Sequence, residues 1–180
     1  MTARFAAALL ACLLSPFAQA ATAPSTSPAK AVVAFYQWYL HNDAGWDSPQ
    51  MPQYATGTLL EAIRHETDCN YDPPEGPLSA EAERQCQRRI CEQIQRYVRC
   101  YRDGIPIETD VDYFIKAQDY PESWPRHIFA GLVIQKGTRA QVSLTLGDGS
   151  EAVQRLWVTI AVHEGMWKIE RVDPQSQSKP

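Results

Sequence analysis

Two neighbouring stretches decide the fold: residues 140–146, AQVSLTL, and residues 156–162, LWVTIAV. In both, aliphatic residues recur at every second position from Val142 to Leu146 and from Leu156 to Val162, which is typical of a β-strand with one buried face. Gly147-Asp148-Gly149 lies between them and has the composition of a turn. Residues 128–135 and 167–172, on either side, are also predicted to be strands. We therefore predict a meander of four antiparallel strands.

The sequence before this meander has helical periodicity instead. Ser27-Pro28 is typical of a helix start, and apolar residues then recur at helical spacing, so we predict a helix over residues 28–41. A second helix is predicted over 58–66, and a third from Ser79 towards Tyr97. Residues 67–78 are rich in Pro and Gly and predict a loop, whereas 112–120 fit either a short helix or a strand. Helices followed by a meander predict an α+β fold, with N-terminal helices packed on a curved antiparallel C-terminal sheet.

The first 20 residues have the pattern of a secretory signal peptide, with Arg4, an apolar run and a small-residue site that predicts cleavage after Ala20. A lipid anchor at Cys12 is the alternative. The anchor is disfavoured because the apolar run continues past Cys12. The run is also too short to span a bilayer, so we predict no transmembrane helix. We predict a disordered linker over 21–27, one domain over 28–173 with an insert at 67–104, a polar tail over 174–180, and a periplasmic or secreted location.

Four cysteines cluster in the insert: Cys69, Cys86, Cys91 and Cys100. In an exported chain, an even number of clustered cysteines predicts structural disulfides. On a continuous helix, Cys91 and Cys100 would be about 13 Å apart, and disulfide Cα atoms must approach to within about 7 Å. Two pairings remain: Cys69–Cys86 with Cys91–Cys100, which we favour, or Cys69–Cys100 with Cys86–Cys91. Either one requires the third helix to break.

Composition and motifs exclude several classes of function. The chain has 17 Lys+Arg against 21 Asp+Glu and no basic run, so we predict no nucleic-acid partner. No phosphate-binding loop, dinucleotide fingerprint or G-x-S-x-G motif is present, and we predict no cofactor. Asp68 to Asp72 begins like a calcium loop, but Pro73 occupies the position that needs glycine. No metal site is predicted.

Polar and aromatic residues mix over 112–124, just before the sheet. One hypothesis places Gln118, Asp119, Tyr120 and Trp124 along a cleft between helices and sheet, with Trp38 as a further binding candidate. In the alternative interpretation, which we favour, Asp119 caps backbone amides while Tyr120 and Trp124 belong to the core.

Three short motifs carry a family resemblance: Phe35 to Leu40, Lys116 to Tyr120 with Trp124, and Trp167 to Val172. Over residues 30–173 the chain resembles the bacterial exported family called domain of unknown function 3828. The resemblance implies a small periplasmic protein or lipoprotein with a cone-shaped α+β fold like nuclear transport factor two, also called cystatin-like. The family carries no settled catalytic residues, so none is transferred.

Two functional hypotheses follow. The first is a non-enzymatic binding protein with an exported protein partner, in its sharpest form an immunity protein that blocks a cell-wall amidase delivered by a neighbouring bacterium. Its predicted contact is loop 67–78. The second is a pocket enzyme of the ketosteroid-isomerase type, with Asp119 as base and Tyr113 or Tyr120 as donor. His127 is a further candidate for proton transfer.

Overall fold

The computed structural model describes residues 24, 26–70, 79–94, 97–108 and 111–175. Its helices are α1 (Pro28–His41), α2 (Met51–Tyr54), α3 (Gly57–Asn70) and α4 (Ala80–Gln87). Its strands are β1 (Ile90–Ile94), β2 (Tyr97–Arg102), β3 (Ile105–Ile107), β4 (Ile128–Lys136), β5 (Arg139–Leu146), β6 (Gln154–His163) and β7 (Met166–Pro174). Helices packed against antiparallel sheets confirm the predicted α+β class.

The four predicted C-terminal strands form one antiparallel sheet in the order β4-β5-β6-β7. Val142 on β5 pairs with Val158, which in turn pairs with Val172 on β7. All three side chains are buried, as the period-two alternation predicts. The pattern therefore fixes the register, because a slip of one residue would expose this whole set.

Helix α1 covers the buried face of this sheet with the apolar side that the sequence predicts. The Ser27 hydroxyl accepts a hydrogen bond from the Lys30 amide at 3.4 Å and caps the helix start. Phe35 is buried among aromatic rings, with Tyr36, Tyr39 and Phe114 centred 4.9–5.2 Å from it. Helix α3 packs beside β3 and β7 and extends four residues past the predicted end at 66, to Asn70.

The predicted third helix is wrong beyond Gln87. Helix α4 ends there, and the three strands that follow it form a second antiparallel sheet in the order β1-β2-β3. The physical reason is twofold. The segment is rich in β-branched and aromatic residues, which favour strands, and Cys91 lies directly opposite Cys100 in the β1–β2 pair. Their disulfide joins Cα atoms 4.0 Å apart, a separation that a helix does not allow.

The structure contains the favoured pairing of cysteines. Cys69 at the end of α3 is bonded to Cys86 in α4, with Cα atoms 5.6 Å apart, and Cys91 is bonded to Cys100. The first bond joins the insert to the main helical layer and the second fixes the small hairpin. Disulfides of this kind stabilise a small domain by about 2–4 kcal/mol each.

A buried ion cluster attaches the small sheet to α3. The Arg102 guanidinium donates through Nε and Nη2 to Glu66 Oε2, at 3.0 and 2.9 Å. Arg89 Nη1 lies 3.2 Å from the other oxygen, Glu66 Oε1. Only 1% of Arg102 and 3% of Glu66 is exposed. The insert is thus held by two disulfides and by a desolvated charge pair.

The chain ends agree only partly with the predicted boundaries. Trp167 Nε1 donates to the Thr26 carbonyl at 3.0 Å, so the linker is fastened by its last residues. The predicted tail begins inside β7, which includes Pro174, and Gln175 donates to the Leu156 carbonyl at 2.8 Å. The signal peptide, its cleavage after Ala20, Cys12, residues 71–78 of the predicted loop and residues 176–180 lie outside the described residues. In the part that is described, no helix combines the length and apolar character needed to cross a membrane.

Candidate functional site

Asp112 organises the segment between the two sheets. Its Oδ1 accepts hydrogen bonds from the amides of Phe114 and Ile115 at 2.8 and 3.0 Å, and its Oδ2 accepts one from the Tyr39 hydroxyl at 2.5 Å. The segment is therefore a turn rather than the predicted helix or strand. Sequence reasoning singled out Asp119 and missed Asp112. An Asp at the first position of a turn tends to accept hydrogen bonds from the amides that follow it, and this tendency is the sequence signal that could have identified Asp112.

The predicted cleft residues lie close together in sequence but have different environments. Gln118 and Asp119 are exposed, and Asp119 Oδ1 accepts a hydrogen bond from the Tyr120 amide at 2.7 Å. The Tyr120 hydroxyl donates to the Leu40 carbonyl at 3.1 Å. Trp124 is 3% exposed and donates through Nε1 to the Ala152 carbonyl at 2.7 Å. The contacts of Asp119 and Trp124 agree with the capping and core interpretation, whereas Tyr120 is only partly buried at the edge of the core.

The other enzyme candidates are each engaged in structural contacts. The Tyr113 hydroxyl is buried and accepts a hydrogen bond from the Val172 amide at 3.2 Å, and burial raises the pKa of Tyr113 well above its usual value. His127 Nδ1 lies 3.0 Å from the Ser123 carbonyl, and its Nε2 lies 3.5 Å from Asp148 Oδ2. Trp38 stacks on Tyr54 with ring centroids 4.6 Å apart. No contact brings Asp119 together with Tyr113 or His127 among the described residues.

Lys116 shares the Asp112 turn and is almost completely buried. Its Nζ lies over the Tyr113 ring, 3.9 Å from the centroid, and its backbone has a left-handed φ of 54°. Burial lowers the pKa of Lys116 to about 8, although nearby acidic groups such as Glu108 oppose the shift. The charged form is therefore stabilised less by the fold than by water, and it is a local source of instability.

Lys116→Met should raise the free energy of unfolding at neutral pH by about 1–2 kcal/mol, because it removes a buried charge and keeps most of the apolar chain. The wild type should gain stability as pH rises from about 8 towards about 9.5, because the unfolded chain still binds the lysine proton there while the folded chain has released it. The variant should lose this rise. Urea unfolding of the oxidised mature wild type and variant, each at both pH values, measures the stability difference and its dependence on pH.

Lys30→Met is the matched control, because Lys30 is exposed on α1. It should leave both the stability and the pH profile unchanged within about 0.5 kcal/mol. A wild-type profile that is flat over this range would show that the Lys116 charge is not destabilising.

The edge strand β4 is an exposed feature of the large sheet. It pairs with β5 on one side only, and its other edge pairs with no strand in the described part of the chain. Phe129, Leu132 and Ile134 are 55%, 59% and 48% exposed, and we call these three residues the apolar stripe. Isolated exposed apolar residues are ordinary, but several large ones on one strand are typical of a binding surface.

Register and a bulge explain how these apolar residues become exposed. Phe129 pairs with Thr145 and Ile134 with Gln141, the β5 residues that alternate with buried Leu144 and Val142. The register shifts between Ala130 and Val133, where β4 has one residue more than β5. Without that extra residue, the alternation would turn Ile134 towards the core. The bulge therefore keeps both Phe129 and Ile134 on the face that points away from the core.

That face of the sheet, which we call the outer sheet face, also holds ion pairs beside a shallow depression of about 380 Å³. Ile134, Gln141, Thr159 and Arg171 form one row across the four strands and line the depression. Arg171 binds both carboxylate oxygens of Asp173, with Nε 2.9 and 2.7 Å from them. The outer sheet face thus combines an apolar edge with fixed charged groups, which is the composition of a protein-binding surface.

Comparison with known proteins finds no matching family model and no matching curated protein. Membership of the family named above therefore stays a prediction. Among solved structures, the chain is similar to a chain of the native type VI effector-immunity complex Tae3-Tai3 from Ralstonia pickettii. The TM-score is 0.56 and the sequences are 21% identical over 85% of this chain and 98% of that one. The selenomethionine form of the same complex gives a TM-score of 0.54 at 21% identity, over 85% and 100% of the two chains. The matched neighbours are Tai3 immunity proteins, and the likeness shows a shared fold.

Proposed function

We propose that this chain is an exported immunity protein, which binds and blocks a cell-wall amidase delivered by a neighbouring bacterium. The observation that carries the proposal is the extent of the structural likeness to Tai3, which spans 85% of this chain and 98% of its neighbour. The match therefore covers most of the domain and nearly the whole of the neighbour. Because a fold alone does not determine function, the proposal depends on further features of this molecule.

Two features support a binding role. The disulfides and the Glu66–Arg102 pair brace the insert, and a preorganised surface loses little entropy on association. The apolar stripe on β4 offers a ready contact for a partner. The acid–base groups of the enzyme hypothesis, by contrast, serve as caps and core contacts. Occlusion of another enzyme's active site needs a rigid surface and no catalytic group.

The test begins with capture of the target. The oxidised mature chain, residues 21–180, is immobilised and exposed to exported proteins from its own and from competing bacteria, and mass spectrometry identifies what binds. We expect one equimolar partner that cleaves peptide bonds in purified cell-wall sacculi. Addition of the free chain should lower that cleavage by at least about tenfold, as expected for an affinity well below micromolar. Recovery of no cell-wall hydrolase would contradict the proposal.

Asp119→Asn separates this function from the enzyme alternative. Asp119 is exposed and its described hydrogen bond is to the Tyr120 amide, so an immunity protein with this substitution should inhibit the captured hydrolase as the wild type does. Inhibition that disappears with this one carboxylate would favour a chemical role for Asp119. A reduced and alkylated sample lacks both disulfides of the insert, and its affinity for the hydrolase shows whether the braced insert is needed for binding.

A further inference from the structure

The outer sheet face has a charge opposite in sign to that of the whole chain. The chain has a formal net charge of −4. Register and ion pairs nevertheless place more basic than acidic residues on this face: Lys136, Arg139, Arg155, Lys168 and Arg171 against Glu164, Glu170 and Asp173. All three acidic residues are already used: Glu164 lies 3.7 Å from Lys168, Glu170 2.9 Å from Arg139 and Asp173 2.7 Å from Arg171. The excess charge of the face is therefore positive.

Two of the basic residues are available to a partner. Lys136 at the end of β4 and Arg155 at the start of β6 are exposed, and neither has an ion pair within the described residues. They lie towards opposite ends of the apolar stripe, because Lys136 pairs with Arg139 at one end of β5 and Arg155 pairs with Thr145 near the other. A surface that is apolar along one edge and positive at both ends is complementary to an apolar segment with flanking carboxylates.

We infer that the outer sheet face is where the target hydrolase docks, through an acidic surface segment whose apolar side chains cover Phe129, Leu132 and Ile134. This inference rests on the proposed function and adds the surface and the chemistry of the partner. Lys136 and Arg155 pair with carboxylates of the segment. Burial of the stripe supplies affinity, and the charges speed association and select the partner.

A second copy of this chain fits the face less well. Two outer faces brought together would place positive charge against positive charge, and like charges in an interface cost several kcal/mol. The bulge between Ala130 and Val133 also interrupts the regular edge of β4. Such an interruption is a recognised device against edge-to-edge pairing of sheets.

Surface variants of the mature oxidised chain test this inference, with the captured hydrolase as the probe. Leu132→Ser with Ile134→Ser should weaken the affinity at least about tenfold. Lys136→Glu with Arg155→Glu should weaken it by a similar factor at about 0.05 M salt and clearly less at about 0.5 M, where screening is strong. Matched controls are Ile90→Ser, at an apolar residue that is 70% exposed on the small sheet, and Arg88→Glu. Both should bind within about twofold of the wild type.

A photo-crosslinking residue at position 129, and another at exposed Thr58 on α3, make the outcomes distinct. Crosslinking of the hydrolase at 129 and not at 58 supports the inference. Capture of the hydrolase with crosslinking at 58, or with unaffected surface variants, overturns the docking site and leaves the immunity function standing. Crosslinking of one copy to another at 129, with a doubled molar mass in solution, overturns it in favour of self-association. Failure of the wild type to capture any hydrolase removes both proposals.

Discussion

Glu66→Ala should destabilise the domain by about 3–5 kcal/mol, because it removes the carboxylate that faces the buried Arg102 guanidinium. Arg102 is 1% exposed and donates two hydrogen bonds to one oxygen of Glu66, and the variant loses both. The loss is large against a typical domain stability of 5–15 kcal/mol. Urea unfolding of the oxidised mature chain, followed by circular dichroism, measures it.

Two further variants test the cause. Glu66→Leu combined with Arg102→Met replaces the pair by apolar side chains of similar size. It should recover most of the lost stability because both members of the buried pair are removed together, and Arg89, the other neighbour of Glu66, is partly exposed to water. Arg64→Ala is the surface control. Arg64 pairs with Asp68 at 3.4 Å on the exposed side of the same helix, and its loss should change the stability by less than about 1 kcal/mol. Equal losses of unfolding free energy for Glu66→Ala and Arg64→Ala would mean that the buried pair stabilises the domain no more than an exposed surface pair does.

The large sheet and α1 were predictable from sequence because each has one buried face and therefore a clear period. The alternation of Val142, Leu144 and Leu146 determines β5, and the spacing of Val32, Phe35 and Tyr39 determines α1. The small sheet lacks such a pattern. Several of its residues, such as Ile90 and Glu92, are exposed, and its strands are held by a disulfide across the pair. Cysteine geometry predicted only that the helix had to break, and not that strands follow the break.

The candidate binding surface was less accessible to sequence reasoning. The stretch from Ile128 to Gln135 was predicted as a strand, but its sequence does not indicate that its large apolar residues are exposed. Their exposure follows from the position of β4 at the edge of the sheet and from the bulge. Neither of these two features can be recognised from a single sequence. The excess positive charge of the outer sheet face is similarly hidden, because its residues come from four strands and meet only through the register.

The second large effect is expected from Asp112→Ala, which should lower the free energy of unfolding by about 3 kcal/mol. The carboxylate accepts hydrogen bonds from two backbone amides and from the Tyr39 hydroxyl. Burial, together with the charge of Asp112, raises the pKa of Tyr39 well above its usual value, so the hydroxyl stays protonated and needs an acceptor. With alanine at position 112, that buried hydroxyl and both amides of the turn lose their common partner.

A double-mutant cycle isolates the part of this loss that passes through Tyr39. Tyr39→Phe removes the donor, so Asp112→Ala should cost at least about 1 kcal/mol less in the Tyr39→Phe background than in the wild type. Asp119→Ala is the matched control, because Asp119 is an exposed carboxylate with one described hydrogen bond, to the Tyr120 amide, and should cost less than about 1 kcal/mol. If the two aspartates cost the same, Asp112 is not a special element of the turn. If the cycle shows no coupling, the loss comes from the two backbone amides and not from the Tyr39 hydroxyl. A large coupling would instead make this carboxylate the residue that joins α1 to the segment between the sheets.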